Sequence, residues 1–128
     1  LPFAAIYKQR DPDGNTRARH IAGEVRERTP LIVDDMVSTG GTIELAANVL
    51  RDAGSNAPVI VAAVHAVLAE GSLERLGSLD IQQMLSTDSI VAPSGSLPLR
   101  TLSLAPTLAD VISRLHEGRS LDPMILHD

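Results

Sequence analysis

In the run Leu31-Ile32-Val33-Asp34-Asp35-Met36-Val37-Ser38-Thr39-Gly40-Gly41-Thr42 the chain changes character twice, from apolar to acidic and then to small, polar and glycine-bearing. Leu31, Ile32 and Val33 read as the end of a buried strand, and an amphipathic helical pattern follows Thr42. The order is therefore strand, loop, helix. A helix start carries unpaired N–H groups and the positive end of the macrodipole, so residues 38–42 are expected to wrap a phosphate with no lysine among them. Gly40 and Gly41 let the backbone approach an anion closely, and the hydroxyls of Ser38, Thr39 and Thr42 can donate further hydrogen bonds.

Asp34 and Asp35 narrow the ligand. Carboxylates beside a phosphate repel it unless they face sugar hydroxyls or a divalent cation that bridges to phosphate. A phosphorylated sugar meets both conditions. Successive strand side chains point to opposite faces, so one of the two acids is expected to touch the ligand and the other to act a layer further out. An ordinary Ser/Thr helix cap would explain the hydroxyls. It leaves unexplained why an apolar run, an acid pair and Thr-Gly-Gly-Thr occur together.

Composition sets the outer limits. The chain has 128 residues, enough for one domain (1–128) with a modest core. No apolar run is long enough to cross a membrane, and there is no cysteine for a disulfide or thiolate metal site, so a cytoplasmic protein is expected. The net charge of −5 argues against a general nucleic-acid surface. Cations gather at one end, with Lys8, Arg10, Arg17, Arg19, Arg26 and Arg28 in the first 28 residues. Phe3 and Tyr7 are the only aromatic residues, so little is available to stack on a nucleobase. Leu1 is not an initiator methionine and a core-like strand begins almost at once, which suggests the downstream part of a longer protein.

Around the motif the chain alternates strands and helices. Residues 3–7 form a short strand, and the turn formers Asp11-Pro12-Asp13-Gly14-Asn15 follow. Lys8 and Arg10, two apart at the root of that loop, suit the stabilisation of charge on a transferred phosphoryl group, although solvated surface cations would look the same. A hairpin through residues 19–30 leads into the central strand. Ile43, Ala46, Ala47 and Leu50 share one helical face, with Gly54 as its stop. Val59-Ile60-Val61-Ala62-Ala63-Val64 is a continuous apolar run, as expected for a strand covered on both faces. His65 ends it on the side where such sheets bind ligands. A short helix over 70–76 and strands over 81–86 and 99–104 come next. The last helix starts at Pro106, presents Leu108, Val111, Ile112 and Leu115, and closes at Gly118. The class is α/β with a parallel or mixed sheet.

The segment from Val33 to Thr42 resembles the phosphoribosyl pyrophosphate (PRPP) binding motif of type I phosphoribosyltransferases and ribose-phosphate pyrophosphokinases. The resemblance implies a Rossmann-like, three-layer type I phosphoribosyltransferase fold. It implies that an Asp of the substrate-binding pair Asp34-Asp35, taken as Asp34, binds the ribose hydroxyls and that Ser38, Thr39, Gly40, Gly41 and Thr42 bind the 5-phosphate. Lys8-Gln9-Arg10 is similar to the Lys-x-Arg of the pyrophosphokinases, carried there on a flexible catalytic loop. Ser86-Thr87-Asp88-Ser89 and the run from Leu102 to Gly118 resemble the ends of the later strands and the last helix of the same enzymes. His65 matches their Thr-His-Gly only at the histidine. The tail after Gly118 departs from the family's Ser-rich end, and Ser38 stands where many bacterial members have Asp.

By this resemblance the chain is the C-terminal half of a two-domain pyrophosphokinase. Catalysis is expected from Lys8 and Arg10, with ATP and ribose 5-phosphate as substrates, PRPP as product and Mg2+ as cofactor. No protein metal ligands are expected in this chain, and a homo-oligomer is. Two alternatives stand beside it: a transferase that consumes PRPP, for which no segment is left to form a hood over an acceptor base, and a non-catalytic regulatory homologue.

Overall fold

A computed structural model describes residues 4–10 and 16–125, with side chains at 4–6 and 21–125. Six strands and four helices run in the order β1 (Ala5–Arg10), β2 (Thr16–Ala22), β3 (Leu31–Val37), α1 (Gly41–Asp52), β4 (Val59–Ala66), α2 (Ser72–Gly77), β5 (Ile81–Thr87), β6 (Leu99–Leu102), α3 (Ala105–His116) and α4 (Asp122–Ile125). The strands form two sheets among the described residues. β1 and β2 are an antiparallel hairpin in which Lys8 faces Ala18 and Arg10 faces Thr16, with a register shift between Tyr7 and Lys8. The other four strands are all parallel, in the order β3-β4-β5-β6.

α1 forms where the sequence places it. Alanines and leucines favour the helix, and Ile43, Ala46, Ala47 and Leu50 all lie buried on its inner face. It ends in a Schellman arrangement. The Ser55 N–H donates to the Leu50 carbonyl and the Gly54 N–H to that of Arg51. Gly54 there has φ of 92°, a left-handed conformation that glycine adopts without a Cβ penalty. α1 packs on β2, β3 and α2. The core joins Val37, Ile43, Leu50, Val61, Ala66, Leu76 and Met84. Burial of each large side chain contributes about 1.5–3 kcal/mol of transfer free energy.

Four expectations change. Lys8 and Arg10 belong to strand β1 and not to a loop after it, because the hairpin pairing continues through Arg10. The turn cluster 11–15 lies outside the described residues. Among the described residues β3 is an edge of the parallel sheet and not its centre, since it pairs with β4 on one side alone. β4 alternates in burial: Val59, Val61 and Ala63 are buried, whereas Val64 is 44% exposed. On the same side of the sheet Leu31 and Val33 of β3 are exposed. α3 has the foreseen boundaries, but none of its residues is buried, and Leu108, Ile112 and Leu115 are open to solvent.

Candidate functional site

β3 runs farther than its apolar start suggests and carries both acids within the strand. Asp34 pairs with Ala63 of β4, on the buried side of that strand. Asp35 is the next residue and so points to the other face, and it is exposed. The Asp34 carboxylate accepts a hydrogen bond from the Asp35 N–H at 3.0 Å. The separation of the two acids onto opposite faces agrees with the sequence expectation.

Beyond Val37 the backbone turns sharply. Gly40 has φ of 78° and immediately precedes α1. A Cβ added there would lie 2.9 Å from the Leu76 Cγ, so two independent reasons, conformation and space, require glycine. Four successive carbonyls of the loop are bonded from within the protein. Val37 accepts from the Leu68 N–H at 3.1 Å, Ser38 from the Ala69 N–H at 3.1 Å, and Gly40 from the Glu44 N–H at 2.9 Å. The Thr39 carbonyl accepts from the Arg75 guanidinium at 2.9 Å. Among the described residues no acceptor meets the N–H groups of Thr39, Gly40, Gly41 or Thr42. Thr39 and Thr42 are exposed, Ser38 and Gly41 are half-buried, and Gly40 is buried. With its oxygens engaged within the protein and its amides without internal acceptors, the turn offers the N–H groups of Thr39, Gly41 and Thr42, whose residues reach the surface, at the positive end of a twelve-residue helix. A groove of about 410 Å³ opens beside it, lined by Gly41, Thr42, Glu44, Leu45 and Asn48.

Arg75 and Leu76 come from α2, which sequence reading treated only as a short helix. Arg75 also forms a 3.3 Å ion pair with Glu44 in the first turn of α1. The apolar pattern of α2 gave no sign that its one cation would reach the loop 36 residues earlier.

A second polar cluster lies at the C-terminal ends of β4 and β5. His65, partner of Met36 across the strands, has its Nδ1 2.8 Å from the Ser89 hydroxyl. Thr87 and Ser89 both donate to the Val64 carbonyl, at 2.6 and 3.1 Å. Asp88 turns the other way. Its carboxylate accepts from the Leu104 N–H at 2.8 Å and from the Ser103 hydroxyl at 2.6 Å. These two donors hold its carboxyl below the ordinary carboxylate range, the Leu104 amide contributing most. His65 therefore sits beside the motif strand, joined to the Ser86–Ser89 tip. Lys8 and Arg10 are placed by their backbone in β1, and their side chains lie outside the described residues.

Magnesium, implied by the family resemblance, finds no set of three His, Asp or Glu groups among the described residues. Mg2+ is commonly held by one or two carboxylates together with substrate phosphate oxygens, an arrangement that the exposed Asp35 beside the loop fits. A separate small cavity of about 130 Å³, lined by Arg51, Ser55, Asn56 and Asp80 among others, opens at the opposite end of β4.

Comparison with known proteins shows the family and the fold. The family described as "Phosphoribosyl transferase domain" matches residues 1–95. The chain is 36% identical over 125 residues to ribose-phosphate pyrophosphokinase 1 of Lactococcus lactis subsp. lactis, a match covering 96% of this chain and 38% of that protein. It is 38% identical over 126 residues to the ribose-phosphate pyrophosphokinase of Prochlorococcus marinus subsp. pastoris, again covering 96% and 38%. The crystal structure of phosphoribosylpyrophosphate synthetase from Mycobacterium smegmatis superposes with a TM-score of 0.73 at 35% identity, over 90% of this chain and 37% of that one. The chain thus spans less than two fifths of the length of these relatives.

Proposed function

Because the chain belongs to the phosphoribosyl transferase domain family, we propose that it is the sugar-phosphate-binding portion of a ribose-phosphate pyrophosphokinase. In that reaction the 1-hydroxyl oxygen of ribose 5-phosphate attacks the β-phosphorus of ATP. The bond from that phosphorus to the oxygen shared with the α-phosphate breaks, AMP leaves, and the hydroxyl proton is released. One observation carries the reading. The likeness to pyrophosphokinases runs through 96% of the chain, past residue 95, where the general family match stops.

In this reading the free amides of residues 39–42 and the Ser38, Thr39 and Thr42 hydroxyls hold the 5-phosphate. Asp34 accepts hydrogen bonds from the ribose hydroxyls, and Asp35, on the other face of β3, would meet the polyphosphate through a bound divalent cation. Mg2+ supplies charge neutralisation of that polyphosphate when bound. Lys8 and Arg10 close over the reacting pyrophosphoryl group, where positioning and charge stabilisation matter more than covalent chemistry. The remaining residues for ATP come from the part of the polypeptide that the relatives have and this chain does not span. The working protein is a cytoplasmic homo-oligomer in this picture.

The test uses the intact protein with ATP and ribose 5-phosphate, following AMP and PRPP formation. Lys8→Ala should lower kcat on the order of a hundredfold or more, as loss of a preorganised electrostatic contact does elsewhere. The ribose 5-phosphate KM should change much less. Full turnover in Lys8→Ala would remove the role given to Lys8. PRPP consumption with a nucleobase, and no reaction with ATP, would replace the whole assignment by a transferase.

A further inference from the structure

We infer that Arg75 is a positioning residue for the phosphate loop. It fixes the turn by binding the Thr39 carbonyl and masks a carboxylate that would otherwise repel the ligand. The inference rests on the proposed function for the identity of the anion.

Of the four carbonyls turned inward beneath the loop, three are held by backbone amides and one, that of Thr39, by a side chain. The three amide contacts survive any substitution other than proline. The fourth depends wholly on Arg75. The Thr39 carbonyl is also the oxygen that would accept from the Ile43 N–H if α1 began one residue earlier, since helical bonds join residues four apart. α1 instead makes its first bond from Glu44 to Gly40. Arg75 thus occupies the oxygen that an earlier helix start would use, and the Ile43 N–H, like those of Thr39, Gly40, Gly41 and Thr42, meets no acceptor among the described residues.

Arg75 acts on charge as well as on shape. Glu44 sits in the first turn of α1, within the lining of the groove beside Gly41 and Thr42. An unpaired carboxylate at that place would oppose a phosphate. The guanidinium bonds it at 3.3 Å while its Nη1 lies 3.7 Å from where a Gly41 Cβ would be. One planar fork serves both partners, which an ammonium on a flexible stem cannot do in the same geometry. The loop itself holds no lysine, and the cation beside it is supplied from a different helix.

The experiment measures KM for ribose 5-phosphate, kcat, and inhibition by inorganic phosphate in the intact protein carrying Arg75→Ala, Arg75→Lys, and Arg75→Ala with Glu44→Gln. Arg75→Ala should raise KM on the order of tenfold or more, as loss of a charge-assisted hydrogen bond to an acceptor left unpaired does. Inhibition by phosphate should weaken in proportion, and kcat should stay within about threefold because the reacting groups lie elsewhere. Adding Glu44→Gln should recover part of the lost affinity, since the unmasked carboxylate is then gone. Arg75→Lys, which keeps the charge and most of the packing, should fall between wild type and Arg75→Ala and keeps the test available if the alanine variant does not fold. An unchanged KM in Arg75→Ala, or in Arg75→Lys should it alone fold, overturns the inference. A fall in melting temperature with no rise in KM does the same, for it marks a strut between α2 and α1 and nothing more. A wild-type protein that forms no PRPP and binds no ribose 5-phosphate removes the functional reading, an outcome distinct from equal binding by wild type and variant.

Discussion

Gly40 shows how much one position has to satisfy at once. Its φ of 78° suits glycine, and the space where a Cβ would go is filled by Leu76, itself fully buried. The two demands can be separated by experiment. Gly40→Ala should destabilise the fold by about 1–3 kcal/mol for the strained backbone plus a comparable overpacking cost. Leu76→Ala should cost about 2–5 kcal/mol through lost contacts and a cavity. The double variant should be less damaging than the sum, because the new methyl enters the space that Leu76 vacates and, of the alanine's own cost, only backbone strain is left. Urea unfolding of the four proteins checks this, and strict additivity would mean that the clash is not what excludes alanine. The turn itself was legible because small, hydroxylated, glycine-bearing sequence between an apolar strand and an amphipathic helix marks a tight strand-to-helix connection. Leu76 and Arg75 were not, since they touch the loop only through the tertiary fold, and nothing in Ser72-Leu73-Glu74-Arg75-Leu76-Gly77 marks them.

At the level of elements, the hydrophobic periods placed α1, β4, β5 and α3 to within a few residues, because each period records which side chains share a face. They said less about ends held by distant polar groups. β6 stops at Leu102, short of the foreseen Leu104, where Asp88 takes over the Ser103 hydroxyl and the Leu104 N–H. Leu104 is the N-cap of α3 and has no capping side chain of its own, so a carboxylate from the end of β5 does that work from outside. The consequence depends on pH. A carboxyl whose folded pKa lies below its ordinary value stabilises the fold above that ordinary value, about 3.9, and ceases to do so as the pH falls through the lower one. Asp88→Asn should therefore lower the urea midpoint at pH 7, and the gap from wild type should close as the pH is taken below about 4. Amide exchange at the start of α3 should quicken in the variant at neutral pH. Equal midpoints at pH 7 would show that the tether adds nothing.

On the scale of the whole molecule, the periodicity of α3 was read correctly and its surroundings were not. Leu108, Ile112 and Leu115 share a face as expected, yet they are 54%, 66% and 62% exposed. A 3.6-residue period identifies a common face and carries no information about what lies against it. The same holds for the apolar run of β4, whose Val64 faces solvent on the side shared with Val33. α1 differs because the chain itself brings β2, β3 and α2 against it. The two helices have similar amphipathic patterns and should answer substitution very differently. In this chain Ile112→Gln should shift the unfolding free energy by no more than about 0.5 kcal/mol, the usual range for a solvated site. Ile43→Ala, at a position only 1% exposed, should cost about 2–5 kcal/mol. Denaturant titration of both variants beside wild type settles the comparison. A loss above about 1 kcal/mol in Ile112→Gln would mean that the face of α3 is covered in solution, since solvated positions do not respond that strongly.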